Sequence, residues 1–218
     1  MLISHRKNFI FTKTSKTAGT SIESYFEKYC MPEGEWEESH AREEYISDTG
    51  IIGYRGSDAA LKKPTWVNHL SAQKIRELIG SSIWDKYFKF TVIRNPFDKL
   101  ISAFHFQIRN SSLSAEKEIE LFTDWIKNSN LIIDRDRYFI SDEVCVDYFI
   151  RFEDLDAGVN HVCNKINVPF EPWRIPEFKK GIRHHRIKIK DYYTNETEDI
   201  VRKNFDWEFN KFGYDLPQ

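Results

Sequence analysis

Three segments near residue 10 constrain this chain most, by their order. Asn8-Phe9-Ile10-Phe11-Thr12 is a short apolar run that reads as a buried strand. Ser15-Lys16-Thr17-Ala18-Gly19-Thr20-Ser21 follows as a loop of small residues. Ser21-Ile22-Glu23-Ser24-Tyr25-Phe26 then opens a helical pattern with Ile22, Tyr25 and Phe26 on one face. A strand running through a tight loop into a helix is a building block of α/β sheets.

The same alternation continues downstream. Ser71 to Ile79 reads as a helix with Ile75, Leu78 and Ile79 as its buried stripe and Gly80 as its stop. Tyr87 to Ile93 is β-branched and aromatic and reads as a second strand. Arg94-Asn95-Pro96 ends it, and Pro96 suits the first turn of a helix running to about Ile108. A helix is expected over Ala115 to Lys127, a third strand over Val146 to Phe152, and a helix over Asp154 to Ile166. Asn195, with Glu198 three residues on, looks like the cap of a last helix that ends near Gly213. Residues 31–64 look mostly irregular. The expected fold class is therefore α/β, a mostly parallel central sheet flanked by helices, in one domain spanning residues 1–218.

A loop of small residues lets backbone N–H groups converge on one point, and a following helix adds its unpaired N–H groups and the positive end of its dipole. Gly19 permits close approach or a positive φ, Lys16 supplies a mobile cation, and Thr17, Thr20 and Ser21 supply hydroxyls. Those features describe an oxyanion cradle, with a plain strand-to-helix turn as the alternative. A nucleoside-triphosphate P-loop is disfavoured, because its Gly-Lys-Ser/Thr ending is missing and Lys16 precedes the glycine.

Phe90 to Phe104 suggests a second anion site. Arg94 ends a strand and Ser102 lies two helical turns on, so a charged fork and a hydroxyl could reach one phosphate. Asp98 could instead pair with a local cation, and Arg94 with a carboxylate at the sheet edge. Two anion sites at the carboxyl ends of strands suit a ligand with two separated charged groups.

Bulk composition narrows the partners. Net charge is −2, so no general field favours nucleic acid or an anionic membrane, and the anion sites must be local. No run nears the roughly 20 apolar residues that cross a bilayer, and no apolar leader core follows Met1-Leu2-Ile3-Ser4. A soluble, cytoplasmic protein without stable membrane insertion is expected. Cys30, Cys145 and Cys163 fit neither a disulfide framework nor a zinc pattern, and no metal-ligand spacing is seen.

Ser-Lys-Thr-Ala-Gly-Thr-Ser at 15–21, with Val-Ile-Arg-Asn-Pro-Phe-Asp-Lys-Leu-Ile-Ser-Ala-Phe at 92–104, resembles the sulfotransferases that use 3′-phosphoadenosine 5′-phosphosulfate (PAPS). The likeness is to the carbohydrate and Golgi-type branch and its small bacterial relatives. Ile150-Arg151-Phe152-Glu153-Asp154-Leu155 and the Tyr192 to Tyr214 ending add weaker similarity. The resemblance implies a P-loop-NTPase-like sulfotransferase fold. It implies that Lys16, Thr17, Ala18, Gly19, Thr20 and Ser21 hold the 5′-phosphosulfate, and Arg94 and Ser102 the 3′-phosphate, with PAP as product and no metal. A late basic loop covers the 3′-phosphate in such enzymes, which points to Lys180, Arg183 and Arg186. The chain departs from the family at Lys13-Thr14-Ser15, where members often show His-Ile-Pro.

By the same resemblance Lys16 neutralises charge on the leaving phosphate oxygen. His69 is the candidate base, because His is the side chain poised nearest neutral pH; the alternative is a helix-entry histidine with a structural bond. His40, His105, Glu43 and Glu44 are lesser candidates. The expected reaction is in-line sulfuryl transfer to an acceptor hydroxyl, probed against two other readings: a nucleotide kinase of similar fold, and a non-catalytic nucleotide- or glycan-binding module. The acceptor is expected to be a small molecule or glycan, with no nucleic acid involved.

Overall fold

The computed structural model describes residues 1–109, 111, 113–176 and 187–218. Along the chain run Leu2–Ser4 (β1), Phe9–Phe11 (β2), Gly19–Glu27 (α1), Tyr45–Ser47 (β3), Gly50–Ile52 (β4), Ala59–Lys62 (α2), Ala72–Ile79 (α3), Ser81–Lys86 (α4) and Phe88–Ile93 (β5). Pro96–Gln107 (α5) and Ala115–Asn128 (α6) follow, then Phe139–Ile140 (β6), Glu143–Val144 (β7), Tyr148–Arg151 (β8), Leu155–Lys165 (α7), Asn195–Asn204 (α8) and Asp206–Phe212 (α9). The chain divides into two compact units, Met1–Ile93 with Asp134–Phe178, and Arg94–Ile133 with Lys179–Gln218.

The first unit holds a six-stranded sheet in the order β3-β4-β1-β2-β5-β8. β2, β5 and β8 are parallel neighbours, in register Phe11↔Phe90 and Val92↔Ile150. β1, β4 and β3 extend the sheet antiparallel, so it is mixed, its parallel half lying where the sequence patterns predict strands. Because β2 and β5 run the same way, their carboxyl ends emerge on one edge, where α/β sheets bind ligands.

Strand alternation sorts the core. Phe9, Phe11, Phe90, Val92 and Ile150 join Ile22, Tyr25 and Phe26 of α1 and Val159 and Val162 of α7 in one cluster. Ile3, Ile10 and Ile51 join Trp66, Ile75 and Trp84 in a second. Every one of these side chains is buried, each contributing about 1.5–3 kcal/mol.

Differences from the sequence patterns have local causes. Within 31–64 a β3–β4 hairpin and α2 replace some of the expected irregular chain. α4 follows Gly80 directly, since Gly80 (φ 83) stops α3 and serves as the next N-cap.

The second unit is helical. Asn95 caps α5, its Oδ1 accepting the N–H of Phe97 at 3.0 Å, with Pro96 in the first turn as expected. Its aromatic core links Phe122 to Phe104, Tyr192 and Tyr193 at ring separations of 5.1–5.3 Å. The cap of α8 is Thr194 rather than Asn195: Thr194 Oγ1 accepts from Thr197 N–H, and Thr197 Oγ1 accepts from Thr194 N–H at 2.9 Å. Phe205 separates α8 from α9, which ends at a left-handed Gly213. Among the described residues no helix is long and apolar enough to cross a membrane.

Candidate functional site

The loop between β2 and α1 has an unusual backbone. Lys16 (φ 62) and Ala18 (φ 60) both adopt the left-handed conformation, and Thr17 between them does not. Such alternation turns successive N–H groups into one concavity that suits an anion. It costs about 1–2 kcal/mol at each non-glycine residue, so neighbouring structure must hold it. Thr14 supplies part of that hold: its Oγ1 donates to the Val92 carbonyl at 2.5 Å and lies 2.8 Å from Thr17 Oγ1. Ala18, at the N-cap of α1, has no side-chain acceptor, so the first-turn N–H groups are left facing the loop.

Gly19 is required by close approach, not by a positive φ. A Cβ there would stand 2.8 Å from Lys13 Cγ. Thr17 and Ser21 are buried, while Lys16, Ala18 and Thr20 are half-exposed.

Beneath the loop lies a buried charge cluster that the sequence patterns did not reveal. Lys13 Nζ contacts Glu23 Oε2 at 2.5 Å and donates to Thr20 Oγ1 at 3.2 Å. Arg55 bridges Glu23 Oε2 at 3.0 Å and Glu27 Oε1 at 2.6 Å, and Arg42 reaches Glu27 at 3.2 Å. The Met1 ammonium also pairs with Glu23. Burial alone would raise the Glu23 carboxyl, but Lys13, the amino terminus and Arg55 outweigh it and hold it at about 2. Lys13 thus turns its charge inward to Glu23. The signal was present in the sequence: Glu23 and Glu27 are four apart on a short helix, so both fall on one face beside Ile22 and Phe26.

His69 lies in this unit, just before α3. Its Nδ1 is 3.0 Å from the Lys13 carbonyl. A carbonyl only accepts, so Nδ1 carries the proton and Nε2 keeps its lone pair. Burial, then the Lys13 charge, lowers the imidazole from 6.5 to about 4. A neutral ring with one nitrogen fixed as donor can accept a proton at the other.

The lesser base candidates are engaged elsewhere. Glu44 accepts the Trp66 N–H at 2.5 Å, and Glu43 pairs with Lys62. His40 is exposed, and its carbonyl accepts from Arg55 Nε at 2.7 Å. His105, in the second unit, is buried against Tyr192 Oη at 3.0 Å and Glu118 at 3.3 Å.

The second motif begins the second unit. Arg94 is buried, and its Nε and Nη2 donate to Asp98 Oδ2 at 2.8 and 2.5 Å. Asp98 is therefore a local partner one turn away, which fixes the plane of the guanidinium. Ser102 lies one turn beyond Asp98 along α5, half-buried. Lys180, Arg183 and Arg186 lie outside the described residues.

The fold agrees with comparisons against known proteins. The model of the sulfotransferase family matches residues 1–215. The crystal structure of mouse sulfotransferase SULT7A1 complexed with PAP is similar in fold, with a TM-score of 0.50 and 12% identity over 95% of this chain and 85% of that one. No curated protein matches the chain significantly. A family match that runs through both motifs and nearly the whole sequence settles membership: the chain belongs to the sulfotransferase family.

Proposed function

We propose that this protein transfers the sulfuryl group of PAPS to an acceptor hydroxyl, with PAP as product. The observation that carries the reading is the loop of residues 15–21, whose paired left-handed residues gather N–H groups at the start of α1. Residues Lys16 to Ser21 bind the 5′-phosphosulfate, and Arg94 and Ser102 bind the 3′-phosphate. Arg183 is proposed as a further 3′-phosphate ligand on sequence grounds alone.

Sulfuryl transfer, like phosphoryl transfer, asks the protein mainly to position groups and to stabilise charge. His69 Nε2 takes the acceptor proton as the hydroxyl oxygen bonds to sulfur. The bond from sulfur to the bridging phosphate oxygen breaks, and the Lys16 ammonium stabilises the charge left on that oxygen. The Lys13 carbonyl keeps the His69 ring in the tautomer this needs. Resemblance to the carbohydrate branch favours a glycan hydroxyl as acceptor, and free buried thiols at Cys30 and Cys163 favour a reducing compartment.

Calorimetric titration with PAP, PAPS and ATP tests the reading. Tight PAP binding with no ATP binding supports it; preference for ATP overturns it in favour of a kinase.

A further inference from the structure

We propose that Asp134 is a positioning residue for the anion loop, holding Ser15 so that the next residue, Lys16, keeps its left-handed backbone. The proposal rests on the reading of residues 16–21 as the 5′-phosphosulfate site. Asp134 comes from a segment with no recognisable motif, 119 residues from Ser15. Its two carboxylate oxygens take both polar groups of that residue: Ser15 N–H at 2.8 Å to Oδ2, and Ser15 Oγ at 3.1 Å to Oδ1. The side chain is buried, and its own backbone is held in a turn by the Arg137 N–H bonding its carbonyl at 2.9 Å.

A carboxylate beside an anion cradle opposes the ligand by its charge, and burying it is costly unless its oxygens are bonded. A loop with two left-handed non-glycine residues, in contrast, persists only where its surroundings over-determine it. Thr14 is pinned to the sheet at Val92. Asp134 pins the following residue, and Lys16 is the first residue beyond the clasp. Ser15 suits this because it offers both an N–H and a hydroxyl, and its own φ is not left-handed.

The test uses the full chain with Asp134→Ala, Asp134→Asn, Ser15→Pro and the Ser15→Pro/Asp134→Ala double variant. PAP affinity is read by calorimetry, KM for PAPS and kcat by labelled transfer, and amide exchange at residues 16–19 by mass spectrometry without ligand. Asp134→Ala is expected to weaken PAP about tenfold, mainly through KM, and to speed exchange in the loop. Asp134→Asn, which keeps an acceptor for the Ser15 N–H, should stay within about threefold of the parent. The double variant should recover most of the affinity, because proline fixes φ and has no N–H to satisfy. Unchanged loop exchange in Asp134→Ala overturns the proposal whether or not PAP binds. So does a loss of affinity that neither asparagine nor the double variant restores, since that marks a general fold defect. A folded parent that fails to bind PAP overturns the PAPS reading instead, and loop exchange then decides the clasp alone.

Discussion

Glu23 gathers Lys13, Arg55 and the Met1 ammonium around one carboxylate, all of them buried. Removing one partner of such a set leaves the others desolvated and uncompensated, so Glu23→Gln should cost about 3–5 kcal/mol in urea unfolding. A loss below about 1 kcal/mol would mean that the cluster relaxes freely. Its sign with pH is fixed by its lowered carboxyl: the stabilisation is present above the unfolded value near 4.5 and disappears as pH falls through about 2. His69 also titrates below its ordinary value, at about 4. Between about 4 and 6.5 the unfolded chain holds more protons there, so its contribution to stability rises with pH across that window and is flat above. For a base the same value predicts that kcat/KM in transfer assays falls only as pH drops towards 4. An acid limb centred near 6.5 would show that His69 titrates as an unperturbed ring. His69→Ala should reduce kcat by about 10²–10⁴-fold while PAP still binds.

At the scale of elements, stability is set by caps and close packing. The reciprocal Thr194–Thr197 bonds cap α8, and Thr194→Ala should cost about 1 kcal/mol in chemical denaturation, against a few tenths if the cap were incidental. The parts of the fold that the sequence reveals are those whose signal is long or chemically sharp. α5 and α6 carry a cap residue followed by three turns of pattern, and β5 is a six-residue strand in which every residue but Lys89 is aromatic or β-branched. β1, β3 and β4 are three residues each, too short for a period-two pattern to stand out. The turn of residues 15–21 is legible from its small residues, and its left-handed backbone at Lys16 and Ala18 is not, since neither residue type demands a positive φ. Asp134 and Arg55 bond residues 119 and 32 positions away, and nothing in their local sequence marks those contacts.

At the scale of the whole molecule, a net charge of −2 leaves recognition of a polyanion to a few local groups. PAP affinity should therefore fall with ionic strength, and Arg94→Ala, which removes a charged fork, should weaken it by about 10–100-fold. The two motifs belong to different compact units, the loop to the sheet and Arg94 and Ser102 to the helical unit, a division that strand and helix patterns along the sequence do not disclose. The family match nevertheless runs through both. Transfer of radiolabelled sulfate from PAPS, screened over glycans, lipids and small phenols with the parent and Lys16→Ala, tests sulfuryl transfer most directly. Sulfuryl transfer that depends on Lys16 gives a labelled acceptor and equimolar PAP from the parent, and no label from Lys16→Ala although PAP still binds. Label transfer that is undiminished in Lys16→Ala, or no transfer to any hydroxyl by a parent saturated with PAPS, would contradict it.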